Sequence, residues 1–275
     1  FAWGPPFTPS DAKAMVDRLG KASQHATAFE LCRTREDRPV PALRVIEKGG
    51  ELTEKYGIWI NARQHAWEAG ASWVCQGLAE WLVSDDEQAA ALRSKADITI
   101  VPIMDIDNTA VGAGGKEQKP QDHNRDWTDE PYHASVKAAQ AKVLAMNKEK
   151  RFNIYIDLHN PGPGDRQPFF FVAPQDLLEP IGRRNLARFV ECTSAEMAGP
   201  LKFNPKTRES GAGYDRNWKA ISKNWVQMNT ADHVVSVTLE TSWNTPHSTI
   251  EGYKRVGKEL GLAIERYLRE SRRSE

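Results

Sequence analysis

Four short apolar runs, GIWINA at 57–62, DITIVPIM at 97–104, NIYIDLH at 153–159 and VVSVTLE at 234–240, constrain the fold more than any other feature of the chain. Each has the length of a strand and is too uniformly apolar to keep one face in water, so each reads as a strand covered on both sides. Helical spacing fills the gaps between them. Val74, Leu78, Trp81 and Leu82 share one face of 69–83, and Val136, Ala139, Val143 and Met146 share one face of 133–148. Strands alternating with helices predict an α/β fold, a three-layer α/β/α sandwich around a central mixed, mostly parallel sheet.

Further elements fit around that frame. A Thr8/Ser10 cap signal opens an N-terminal helix carrying Met15, Val16 and Leu19, and 29–35 with 42–47 read as a hairpin around REDRPVP. PFFFV at 168–172 is a strand, 177–198 is largely helical, and 249–273 is an amphipathic helix with a frayed tail. Two irregular stretches remain. The loop 105–129 is long enough to suggest function, and the glycine-punctuated 200–219 is placed to cover a site. The 275 residues, 40% hydrophobic, suffice for one large core, so a single domain over 1–275 is expected.

Composition excludes several functions. Lys plus Arg and Asp plus Glu both number 37, which leaves no basic footprint for nucleic acid. Cys32, Cys75 and Cys192 are odd in number and widely spaced, giving neither a disulfide framework nor a cysteine zinc site. No apolar run approaches the roughly 20 residues that span a bilayer, so no membrane insertion is expected. The chain opens on Phe1 rather than Met, from which a missing upstream domain, signal or tag is expected. Compartment and oligomeric state are not readable, with a cytoplasmic setting slightly favoured and export left open.

Open α/β sheets bind ligands beyond the carboxyl ends of their strands. His65 and Glu68 lie just past the first run, while His159 and Glu240 close the third and fourth. Two histidines and one glutamate are a common catalytic zinc set that leaves a fourth position for water, so His65, Glu68 and His159 are the candidate metal ligands and zinc the expected cofactor. Such a metal lowers the pKa of water and polarises a carbonyl; Glu240 is placed to take the water's proton. Each signal has an ordinary alternative: an HxxE arising by chance, a histidine that only hydrogen-bonds, a glutamate that caps a turn. Their common position at strand ends is what gives the set weight. In QDHNRDW at 121–127, Asn124 and Arg125 offer an amide and a planar guanidinium suited to a carboxylate. Asp122 is placed to accept the free ring N–H of a metal-bound histidine.

In order and spacing these residues resemble the zinc metallocarboxypeptidases, with the cytosolic-type branch the nearer likeness. The strings that carry it are FAWGPPFT, ARQHAWEAGASW, VPIMDID, HNRDW, DLH at 157–159 and TLETS at 238–242, spread over nearly the whole chain. The resemblance implies that His65, Glu68 and His159 bind zinc and that Glu240 is general base and then proton donor. It also implies that Asn124 and Arg125 hold the C-terminal carboxylate of a peptide or protein substrate, with Asp122 behind a zinc histidine. In the cytosolic-type branch a small β-rich domain precedes the catalytic one, in keeping with a start at Phe1.

Two departures stand out. The family's loop arginine, which stabilises the oxyanion, has no counterpart between Ile103 and Asp122, where Lys116 and Lys119 are the cations. Lys116 is the candidate replacement, as a point charge without the planar fork; loss of such a donor costs on the order of a hundredfold to a thousandfold in rate. Between the ligands stands Trp67, where the digestive enzymes have arginine. Arg166, Arg208 and Arg216 are basic candidates for an acidic substrate side chain. Two other functions stay open: an aspartoacylase-like zinc amidohydrolase acting on N-acyl amino acids, suggested by DLHN at 157–160, and an inactive metal-binding relative, suggested by the arginine-free loop.

Overall fold

The computed structural model describes residues 4–47, 49 and 51–271. The opening FAW and the tail expected to fray, 272–275, lie outside the described residues. Helix α1 (Pro9–Ala22) starts at the expected cap, where Thr8 Oγ1 accepts from Asp11 N at 3.2 Å and Asp11 accepts from Thr8 N at 2.7 Å. The chain continues through β1 (Ala26–Arg33), β2 (Pro39–Val45), β3 (Tyr56–Ala62), α2 (Ala69–Leu82), α3 (Glu87–Lys95), β4 (Ala96–Val101) and α4 (Ile106–Val111). It then forms α5 (Ala134–Lys148), β5 (Phe152–His159), β6 (Phe169–Val172), α6 (Pro180–Glu196), β7 (Arg208–Glu209), α7 (Ser222–Asn229), β8 (Val235–Glu240) and α8 (Ile250–Ser271).

The described strands make one sheet in the order β1-β2-β4-β3-β5-β8-β6-β7. Strands β4, β3, β5 and β8 run parallel, whereas β2 joins β1 and β4 antiparallel and β6 joins β8 antiparallel. The expected mixed, mostly parallel sheet is what forms. From β3 the chain steps outward to β4, then returns across β3 to β5 and on to β8. Winding therefore reverses between β3 and β5, and a crevice opens at their carboxyl ends.

Local chemistry explains where boundaries differ from expectation. Strand β4 stops at Val101 because Pro102 has no N–H to continue the ladder. Strand β2 starts earlier than expected, at Pro39, and its prolines pair only with β1, pairing with β4 beginning at Leu43. Helices α3 and α7 are additions to the expected set, and the loop 105–129 contains α4. Helix α3 carries a readable start signal, since Asp86 Oδ1 accepts from Gln88 N and Ala89 N.

Helices cover both faces of the sheet. Trp127 packs on Tyr155 of β5 and Trp225 of α7, each with ring centroids 5.6 Å apart, on the face that α5 also covers. On the other face α2 lies against α8, with α3 and α6 beside them. That crossing is closer than ordinary side chains allow. A Cβ on Gly77 would stand 2.2 Å from Lys254 O, and one on Gly257 would stand 2.1 Å from Val74 O. Among the described residues no helix is long and apolar enough to cross a membrane. Gly77→Ala is expected to force the helices apart and destabilise the protein by about 1–3 kcal/mol. Gly213→Ala, with nothing within 4 Å of the added Cβ, is the matched control, and chemical denaturation midpoints distinguish the two.

Candidate metal centre

His65 and Glu68 sit in the loop between β3 and α2, and His159 is the last residue of β5. The register places His159 directly beside Glu240, the last residue of β8. Ligand atoms of His65, Glu68 and His159 lie within 4.8 Å of one another, all three side chains buried. Both histidines aim the same nitrogen inward. His65 Nδ1 is 2.8 Å from Glu68 Oε1, and His159 Nδ1 is 2.6 Å from Glu68 Oε2.

The outward nitrogens meet carboxylates. His159 Nε2 donates to Asp157 Oδ2 at 2.8 Å, and His65 Nε2 stands 3.4 Å from Asp122 Oδ1. Asp122 is itself fixed by Asn124 N and Glu117 N, each at 2.8 Å. A proton held on Nε2 leaves the Nδ1 lone pair free to face an ion, the arrangement that carboxylates behind metal-ligating histidines impose. Two inward imidazole nitrogens and one buried carboxylate suit zinc, so the donor set fits the expected metal.

Charges in the cluster reinforce one another. Burial opposes ionisation of Glu68, yet His65 and His159 outweigh it and hold the carboxyl well below its usual range. Burial likewise disfavours the charged forms of the imidazoles, but Glu68 with Asp122 raises His65, and Asp157 with Glu68 raises His159. Glu240 behaves in the opposite way. Burial, opposed by His159 but aided by Glu68, pushes it up to about 7, and its Oε2 has no hydrogen-bond partner.

These residues share a cavity of about 440 Å³ with Lys116, Asn124 and Arg125. Lys116 is exposed and its charge acts on Glu240. Arg125 Nε donates to Asp215 at 2.9 Å and its Nη1 to Asn124 O at 2.8 Å, which fixes the guanidinium plane at the cavity wall. Asn124 is tied inward, its Oδ1 accepting from Ser222 N at 3.0 Å and Gln64 Nε2 at 3.3 Å. The loop carrying both is stiffened by His123, which stacks on His133 with centroids 3.5 Å apart.

Of the three basic candidates, the cavity wall takes Arg208, which pairs with Asp165 through both terminal nitrogens and lies 3.8 Å from the centre of the Phe169 ring. Arg166 reaches instead to Asn244 O, and Arg216 is exposed. Sequence reasoning missed Lys223. It is fully buried, lines the cavity, and donates to Ser210 Oγ and to Asn224 Oδ1 at 2.8 Å. Burial drives it down to about 7, Asp157 and Glu240 opposing that and Arg125 adding to it. It lies in the short helix α7, where no local pattern marks one lysine. The role of Asp157 was more accessible, because residues two apart on a strand point to the same face.

Comparison with known proteins agrees with this geometry. Residues 12–163 match the family described as zinc carboxypeptidase. The chain belongs to that family. Among curated relatives, mouse (Mus musculus) cytosolic carboxypeptidase 6 is 28% identical over 166 residues, covering 58% of this chain and 31% of the relative. Human (Homo sapiens) cytosolic carboxypeptidase 4 is 35% identical over 123 residues, covering 42% and 11%. The matched part is thus a third or less of these relatives' length. Among solved structures, a metallo-carboxypeptidase from Burkholderia cenocepacia superposes with a TM-score of 0.83 at 21% identity, covering 98% of this chain and 71% of the other. Carboxypeptidase A from Helicoverpa armigera gives 0.72 at 13%, covering 98% and 74%. These likenesses establish the fold.

Asp122→Asn is expected to weaken zinc binding roughly tenfold to a hundredfold with the fold intact. Competition with a chromophoric chelator measures it, and unchanged affinity would remove Asp122 from the account.

Proposed function

We propose that the chain is a zinc-dependent carboxypeptidase that removes the C-terminal residue of a peptide or protein tail, with a preference for an acidic residue. The observation that carries the reading is one cavity holding three convergent ligands, a glutamate with an unpartnered oxygen, and a fixed guanidinium. A zinc ion held by His65, Glu68 and His159 would supply Lewis acidity and a water of lowered pKa.

The chain's own residues do the rest. Arg125, held by Asp215, receives the terminal carboxylate; Asn124 sets the loop that positions it. Glu240, pushed up to about 7, is matched to accept a proton from water and return it to the leaving amine near neutral pH. Lys116 offers positive charge to the developing oxyanion. Lys223 and Arg208 line the same cavity, and a buried ammonium without a carboxylate bonded to it is completed by an anionic side chain. Asn160, the residue that suggested N-acyl amino acids, has a structural task. Its carboxamide accepts from Ala71 N at 3.1 Å and donates to Thr241 O at 2.5 Å.

Zinc-loaded protein is expected to shorten peptides ending in glutamate by one residue, followed by mass spectrometry. Glu240→Gln should lower that rate on the order of a hundredfold or more; retained activity would remove Glu240 from the chemistry. Lys223→Met should raise KM for glutamate-ending peptides more than for leucine-ending ones. It should also stabilise the protein, because the native state no longer buries an ammonium. Between pH 7 and the ordinary lysine range the unfolded wild-type chain binds a proton that the native state has lost, so wild-type stability rises with pH there. The gain from methionine is therefore larger at pH 6 than at pH 9, and thermal melts at both values check the sign.

A further inference from the structure

Trp67 is a large aromatic side chain left 42% exposed between two buried metal-ligand candidates. Its backbone N–H donates to Gly114 O at 3.0 Å, and a Cβ on Gly114 would lie 3.5 to 3.9 Å from the six-membered part of its ring. The loop residue thus covers one side of the indole. Trp243, three residues beyond Glu240, stands against it edge-on, with ring centroids 6.4 Å apart and planes 73° from parallel. Both rings line the same cavity as the metal-ligand cluster.

Arg125 and Lys223 are held through Asp215 and Ser210, both in the segment before α7. With the terminal carboxylate and last side chain of a substrate at Arg125 and Lys223, the residue before the scissile bond lies across the metal-ligand cluster, beside the two tryptophans that line the same cavity. Trp67 stands exposed at the cavity that holds the metal-ligand cluster, and two indoles at a steep angle present a face and an edge to a third ring.

We propose that Trp67 and Trp243 form an aromatic clamp selecting an aromatic side chain at the penultimate position of the substrate. This rests on the carboxypeptidase reading for the direction in which the peptide lies. Burial and ring contact together favour phenylalanine over alanine by roughly tenfold or more.

The test measures binding apart from turnover. On zinc-loaded Glu240→Gln protein, calorimetric titration with two tetrapeptides ending Phe-Glu and Ala-Glu should show the first binding roughly tenfold tighter. Trp67→Leu and Trp243→Leu on that background should each bring the ratio toward one, with zinc content and circular dichroism unchanged. Equal affinities in the parent, no binding of either peptide, or a ratio that survives both replacements would overturn the clamp. Turnover by the wild-type protein separates the two claims. Shortening of both peptides with no phenylalanine preference in binding leaves the carboxypeptidase reading standing without the clamp, and a binding preference without shortening overturns that reading and with it the penultimate assignment, leaving an aromatic-binding site.

Discussion

The buried carboxylate of Asp157 is the interaction on which the centre depends. Its Oδ1 accepts from Asn61 Nδ2 at 2.7 Å, and its Oδ2 accepts from Gln64 Nε2 at 2.5 Å, Ser222 Oγ at 2.7 Å and His159 Nε2 at 2.8 Å. One side chain thereby joins β3, the loop after it, β5 and the start of α7. Two indoles hold the amides from behind, Trp59 donating to Asn61 and Trp127 to Gln64. A charge buried this fully is tolerated only when its lone pairs are filled. Filling them fixes the protonated nitrogen of His159 and turns the other toward Glu68.

Beside that satisfied network stand two groups in a different state. Glu240 keeps an oxygen without a partner, and Lys223 keeps a buried amine bonded to a hydroxyl and an amide in place of a carboxylate. Both are shifted toward neutrality by burial. Native proteins rarely leave buried polar groups in this state without a functional reason. Each lines the cavity, where the proposed reaction would complete Glu240 with water and Lys223 with a substrate anion.

Much of this was legible in the chain. Apolar runs with helical segments between them define the sheet, and strand-end positions single out His65, His159 and Glu240, which the structure brings to one crevice. Residue type singles out Asn124 and Arg125, which the structure brings to the same cavity, but the bonds that hold them are not readable, because they come from Ser222, Gln64 and Asp215, all far away in sequence. Lys223 escaped for the same reason: burial is a tertiary property, and an isolated lysine in a short helix reads as surface. The start of helix α3 is marked by the cap at Asp86, whereas the glycine contact between α2 and α8 is not readable without knowing that they cross.

The central claim is that two imidazole Nδ1 atoms and one carboxylate hold a single zinc ion beside Glu240. X-ray diffraction from zinc-loaded crystals, recorded on both sides of the zinc absorption edge, tests it directly. The account predicts one anomalous peak within bonding distance of His65 Nδ1, His159 Nδ1 and Glu68, with the Nε2 atoms still facing Asp122 and Asp157. A peak elsewhere, or ligation through Nε2, would contradict it.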